Sequence, residues 1–358
     1  MLARIKAHPH WRQLLLISVV LPAVVGLAVL AFAWPAANIA PRHVPIGIVG
    51  ADTQTEQAVR ALDATSPGAF DLTVYADAAA ARRAVRDRDI YGALDLTDGV
   101  TAYTASAASP SVATLLTGVA DQLDAKLAAG DGPRVVDLVP TDAQDPRGVV
   151  LSSSLLPLTI CSIIIAAAIA LVLKFGPAWR MILGLASVSA MAGLAIYLVG
   201  QADLGVFPHQ GLGTWATLAL LVFAMSSSTA GLITLIGGSG LGIAAALMVF
   251  VGNSFSGATS APQLLPGPAH RIGEILPPGA GANLLRSVTY FDGSGAGDYL
   301  TVLLLWAAFG VVAIIGGHRS FTGFAARRRA ALAAATASSA GAPAGRSSGY
   351  SPSRRLAG

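Results

Sequence analysis

The chain has 358 residues, of which 54% are apolar and only 12% charged, with a formal net charge of +4 and a mean hydropathy of +0.64. That balance excludes an ordinary water-soluble globular domain and describes an integral membrane protein.

Six apolar runs are predicted as membrane helices, at residues 14–34, 151–173, 178–200, 212–236, 239–255 and 299–316. Each approaches the roughly 20 residues that a helix rising about 1.5 Å per residue needs to cross about 30 Å of hydrocarbon. Apart from Arg180, third in its run, none of them contains Asp, Glu, Lys, Arg or His. The basic residues Arg4, Lys6 and Arg12 ahead of the first run, and the small residues of "WPAANIAPR" after it, also suit a secretory signal. The run is longer than the roughly 7–15 residues of a signal core, which favours a retained helix within an amino-terminal unit of residues 1–34.

Residues 35–150 are different material, carrying 15 of the acidic and 9 of the basic residues. They read as a folded extracytoplasmic domain. "VPIGIVG", "FDLTVYAD", "IYGALDL", "VTAYTAS" and "RVVDLVP" have strand character. "TQTEQAVRALDA", "DAAAARRAVRDRD" and "SVATLLTGVADQLDAKLAAG" have helical spacing. The order β-α-β-α-β-β-α-β predicts a small α/β sandwich between the first and second spans. Asp52, Asp77, Asp87 and Asp89 are expected as caps and surface groups, because no Cys or His accompanies them at ligand spacing. The lone His43 is expected at the membrane boundary.

Residues 151–318 form the remaining five-helix unit. Cys161, the sole cysteine, is expected to be a small packing residue, so the exported domain has no internal disulfide. Ser226, Ser227, Ser228 and Thr229 are the most polar intramembrane cluster. Such hydroxyls bond back to helix carbonyls or join neighbouring helices, and the other reading places them on a substrate path. Gly, Ala and Ser recur every three or four residues in "GLASVSAMAGLA" and "GLGIAAAL", as close helix packing requires. "GGSGLG" at Gly237 lacks a lysine and reads as a tight turn between spans, not a phosphate cradle.

With the amino terminus cytoplasmic, 12 basic and no acidic residues fall inside and all 19 acidic residues outside, which predicts both termini in the cytoplasm. The segment 256–298 then lies on the outer side as interfacial or re-entrant helices. Pro277, Pro278 and Gly279 are predicted to end one short helix and begin another, whose Leu284, Leu285 and Val288 press on the bundle while Arg286, Tyr290 and Phe291 sit near the headgroups. Residues 319–358 are rich in Ala, Ser, Gly, Pro and Arg, and are expected to form a disordered basic cytoplasmic tail. No catalytic residue, metal, cofactor or nucleic-acid partner is predicted, and the chain is not expected to be an enzyme.

"VPIGIVG", "DAAAARRAVRDRDIYGALDL" and "LLPGPAHRIGEILPPGAGANLLRSVTYF" lie on a framework of one span, an outer domain and five further spans. In this the chain resembles the permease subunits of type-2 ABC transporters. The likeness is strongest to an uncharacterised permease-like group related to phage-infection-protein and nitrosoguanidine-resistance-like membrane proteins. The resemblance implies an α-helical polytopic protein of the bacterial plasma membrane, working as a homodimer or heterodimer among membrane lipids. Its function would be that of an exporter permease, moving a lipid, drug or envelope component while a separate cytoplasmic ATPase hydrolyses ATP. Lys174 and Arg180 become the candidate ATPase-docking residues. Glu274, Pro277, Pro278, Gly279, Leu284, Leu285 and Arg286 become the candidate outer gate or cap. Where such permeases carry an amphipathic cytoplasmic helix leading into the first span and a coupling element between the second and third, this chain has only "MLARIKAHPHWRQ" and "KFGPAWR". Two other readings stand beside it. One is a non-transporting receptor or assembly platform that uses the outer domain; the other is proton-driven efflux, against which the lack of intramembrane carboxylates counts.

Overall fold

The structure is a computed structural model that describes residues 9–127, 132–173, 176–202 and 211–340. A long first helix, α1 (Pro9–Ala37), leads into an α/β domain. That domain runs β1 (Val44–Val49), α2 (Asp52–Thr65), β2 (Phe70–Val74), α3 (Ala78–Arg86), β3 (Gly92–Asp95), β4 (Thr101–Thr104), α4 (Pro110–Leu127) and β5 (Arg134–Asp137). The element order is the one predicted.

The five strands form one sheet in the order β2-β1-β3-β4-β5, parallel except where β3 meets β4. Strand β1 lies between β2 and β3 and is buried at all but one residue, as a strand covered on both faces must be. Its Val44, Ile46 and Ile48 pack with Leu62 of α2 and Leu116 of α4. Val49 joins Ala81 and Val85 of α3 on the opposite face. Asp77 caps α3, accepting from the Ala80 N–H at 2.7 Å, and His43 pairs with Asp71 at 3.0 Å on the exposed edge.

The helical part continues as α5 (Val149–Val172), α6 (Ala178–Ala202), α7 (Gly211–Ile236), α8 (Gly238–Ala245), α9 (Gly267–Ile275), α10 (Pro277–Tyr290) and α11 (Gly297–Ala340). Among the described residues, five segments are long and apolar enough to span a bilayer: Gln13–Ala37, Val149–Val172, Ala178–Gln201, Gly211–Ile236 and Gly297–His318. The chain is thus a multi-pass membrane protein. The run at 239–255 folds as the shorter apolar helix Gly238–Asn253, which turns π-helical from Ala246 to Asn253, so its length falls short of the roughly 20 residues of a full span. Helix α11 continues to Ala340, through a stretch where composition predicts a structureless tail.

Helix α7 is the axis of the bundle, packed by α5, α6, α10 and α11. Close approach to α11 depends on Gly310, whose hydrogen occupies a place where a Cβ would lie 2.4 Å from the Ser227 carbonyl carbon. Helix α1 stands apart, its apolar window wholly unburied. It touches the bundle through edge-to-face ring pairs, Phe32 with Phe250 and Trp34 with Phe255.

Candidate functional site

The polar segment between the last two apolar runs builds the junction of the two halves. Leu276 has extended backbone (φ −100°, ψ 145°) and ends α9 while capping α10. The residue before a proline prefers that region, and Pro277-Pro278 in the first turn of α10 forgo donors that have no intrahelical partner there. Helix α9 behaves as expected of a surface helix, with Ile272 and Ile275 exposed. Its Glu274 pairs with His270 at 3.0 Å, and Trp306 of α11 donates to the Ile275 carbonyl at 2.8 Å.

Helix α10 corrects the interfacial expectation. Twelve of its residues are buried, including Pro277, Pro278, Gly279, Leu284, Leu285 and Arg286. Phe291 is also buried, joining the α/β domain's second core. Arg286 and Phe291 therefore do not lie among headgroups. The reason is glycines on two sides of the helix, Gly281 on the side of Leu284 and Leu285 and Gly279 nearly opposite it. A Cβ on Gly281 would stand 2.3 Å from Leu221 Cδ1, and one on Gly279 would stand 2.2 Å from the Gly273 carbonyl oxygen. Both sides of α10 therefore pack, where an amphipathic surface helix would pack one.

The α/β domain is fastened to this helix by Arg88, in the turn between α3 and β3. Its backbone adopts φ +66°, a left-handed conformation that costs a non-glycine residue roughly 1 kcal/mol or more. Its guanidinium donates to the Asn283 carbonyl at 2.8 Å, to Asn283 Oδ1 at 3.0 Å and to Ser287 Oγ. It also lies over the rings of Phe291 and Tyr299, 5.6 and 5.7 Å from their centroids. Tyr91 donates to Gln263 Oε1 at 2.7 Å and Ser109 Oγ to the Ser260 carbonyl at 2.6 Å, securing the same junction. Burial pushes the Tyr91 phenol up to about 12. Arg88 escaped sequence reasoning, because "RDRD" reads as a solvated charge run.

Beneath the junction lies a cavity of about 690 Å³, bounded by α5, α6, α7 and α10 and closed at one end by the α/β domain through Ser106, Pro110 and Thr141. That size falls within the range of small-molecule sites. Its walls are mostly apolar, with Leu158, Ile165, Ile196 and Leu221 among them, and among the described residues its only charged lining groups are Asp145 and Arg286. Both carboxylate oxygens of Asp145 are engaged, accepting from the Val149 and Val150 N–H groups at 2.9 Å and so capping α5. Arg286 donates to the Ala258 carbonyl through one terminal nitrogen, while the other, Nη1, has no partner. Thr289 Oγ1, one turn further along the same wall, also has none.

Among the predicted gate residues, Leu285 and Arg286 line this cavity. Leu284 packs into the bundle core, and Glu274 sits apart on α9. The hydroxyl cluster does not reach it. Ser226, Ser227, Ser228 and Thr229 are fully buried and bond back to carbonyls of their own helix, most closely Ser228 to Ala224 at 2.6 Å and Thr229 to Met225 at 2.7 Å. Cys161, expected to be a packing residue, is exposed and lines the cavity. Arg180 is exposed at the end of the bundle away from the α/β domain, stacked 5.3 Å from the Trp179 ring centroid. Lys174 lies outside the described residues.

No curated protein and no solved structure matches the chain. Residues 12–129, about a third of the chain, match the family model described as ABC-2 family transporter protein, from the first span through β1 to α4.

Proposed function

We infer that this chain is the membrane permease subunit of an ABC-type exporter, working with a separate cytoplasmic ATPase. The observation that carries the reading is the family match over residues 12–129. The cavity adds support, since it is large, mostly apolar and set within the spans directly below the α/β domain. On this reading the α/β domain is extracytoplasmic, the short helix Gly238–Asn253 makes the sixth crossing by returning from the far end of α7 to the α/β-domain side, where Phe255 meets Trp34, both termini are cytoplasmic, and the working unit is a dimer in a bacterial plasma membrane. The ATPase docks at Lys174 and at Arg180, the latter at the end of the bundle away from the α/β domain. A cavity so poor in charge suits a lipid, an apolar drug or an envelope precursor better than a sugar or an ion.

The test is purification in mild detergent from cells that also express the neighbouring genes. An ATPase should co-purify, its hydrolysis should rise in the presence of the permease, and Arg180→Glu should weaken the association without reducing membrane insertion. A protein that reaches the membrane in normal yield and recovers no ATPase from those cells refutes the exporter reading and leaves a receptor or assembly platform.

A further inference from the structure

The head of the cavity holds an uncompensated cation. Arg286 is 4% exposed, and no ion pair among the described residues reaches it. Its Nη1 and the Thr289 hydroxyl are both without a partner and lie just beneath the surface of the cavity that their side chains line, where a turn of each side chain presents them. Buried polar groups are almost always paired, and a buried charge is costly unless matched. Two orphan donors three residues apart on one helix therefore mark a place where an acceptor with more than one oxygen belongs. The one carboxylate on the wall cannot serve, because backbone N–H groups hold Asp145 at the start of α5.

The rest of the cavity selects the tail that such a head carries. Its wall along α5 runs from Val150 to Ile165, about 22 Å at the rise of an α-helix. One leaflet of a hydrocarbon core about 30 Å thick is about 15 Å deep, so a hydrocarbon chain anchored at α10 fits without leaving the groove. Helices α5 and α6 each pack mainly on α7 and little on one another, and the exposed, cavity-lining Cys161 shows that the space between them is open to the outside of the protein.

We propose that this cavity binds an anionic amphiphile, with its phosphate or carboxylate head on Arg286 and Thr289 and its hydrocarbon chain between α5 and α6. The amphiphile comes from the leaflet on the α/β-domain side, through the gap beside Cys161. Naming it the cargo rests on the permease reading; its binding does not.

The chain's sole cysteine reports occupancy. Full-length protein in nanodiscs of zwitterionic phosphatidylcholine is treated with a maleimide, and the rate of Cys161 alkylation is followed against added dodecyl phosphate, dodecyl trimethylammonium or inorganic phosphate. Dodecyl phosphate should slow the reaction, while the cationic amphiphile and inorganic phosphate should not. Arg286→Gln should raise the half-protecting concentration about tenfold, and Arg286→Lys should raise it less, since a lysine keeps the charge and loses the fork. Ala195→Trp, an exposed wall position on α6, should abolish protection by filling the chain's place while leaving Arg286 untouched. Equal protection by both amphiphiles overturns head recognition, protection by inorganic phosphate alone overturns the chain site, and no protection by dodecyl phosphate in the unaltered protein overturns the proposal outright. Protection without any associating ATPase would sustain this site and sink the permease reading; ATPase association without protection would do the reverse.

Discussion

Removing the Arg88 side chain should loosen the α/β domain from the bundle without unfolding either. In Arg88→Met the three hydrogen bonds to Asn283 and Ser287 and the charge over Phe291 and Tyr299 are lost, while the stem's packing is largely kept. Hydrogen bonds to a charged group contribute about 1.5–3 kcal/mol each and a cation over a ring about 0.5–2 kcal/mol. The contacts share one guanidinium that is only partly buried, so their effects do not add and the lower end applies, about 3 kcal/mol in all. A single unfolding free energy is ill defined for a protein of two parts, so the measurement is native-state hydrogen exchange at the amides of α10. A loss of about 3 kcal/mol should speed opening of residues 283–290 by about a hundredfold while β1 and β3 keep their protection. Arg88→Lys should fall between, because one ammonium cannot span Asn283 O and Asn283 Oδ1 together. Exchange in α10 unchanged to within a factor of three in Arg88→Met would refute the clamp.

In a Cys161→Ala background, cysteines placed at Asp63 and Ser294 should react with an impermeant thiol reagent in intact cells and one at Ser347 should not; labelling at Ser347 without lysis would invert the proposed orientation. Gly281→Val should cost about 1–3 kcal/mol by overpacking, since its Cβ would stand 2.3 Å from the buried Leu221, and a thermal midpoint equal to that of the parent would show that α10 does not seat against α7 as described. Leu285→Asp would put a carboxylate on the buried cavity wall and cost several kcal/mol, read as lost yield and lower thermal stability, and unchanged stability would mean that wall is wet. Tyr91 keeps its proton in the fold, so its contribution is fully present below the ordinary tyrosine value of 10.0 and is lost as pH rises towards about 12; Tyr91→Phe should flatten that alkaline decline, and an unaltered profile would assign it elsewhere.

The α/β domain was legible because its signals are local. Alternating apolar residues in "VPIGIVG" and turn residues between short bursts fix strand and helix order without reference to the bundle. Spans were legible by length, and the run at 239–255, the shortest of the six, gives the shortest helix, with only the residues from Gly238 to Asn253. The features that stayed hidden depend on contacts far apart in sequence. "PPGAGANLLRSV" shows one clear apolar face and therefore reads as a surface helix. Gly279, which lets its other side pack, is informative only once Gly273 is known to face it. Arg88 and Asn283 meet across almost 200 residues, and no spacing rule reaches that far. The serines of α7 were read the right way in one respect: most of their bonds return to their own helix. Their place against Gly310 rather than on the cavity came only from packing.

The two arginines of the junction act through one helix, and that constrains how the halves communicate. Asn283 and Ser287 of α10 receive Arg88, while Leu285, Arg286 and Thr289 of the same helix line the cavity. These positions alternate within two turns, so no flexible segment separates the domain's grip from the cavity's head. A helix packed on both sides moves as a rigid body or not at all. Any shift of the α/β domain that carries Arg88 must therefore carry the head end of the cavity with it, whereas the wall of α5 is tied to the domain differently, through the segment that joins it to β5, where the Thr141 N–H donates to Ser106 Oγ at 3.0 Å. Two rigid attachments on opposite sides of one cavity make its width a function of the domain's tilt. Loosening the Arg88 contact should therefore uncouple α10 and leave α5 held, so that exchange protection at Val149 and Val150 survives in Arg88→Met even as that of α10 falls. Parallel loss at both places would mean that the domain leaves the bundle as a unit, and that Arg88 is one contact among many and not the link between domain and cavity.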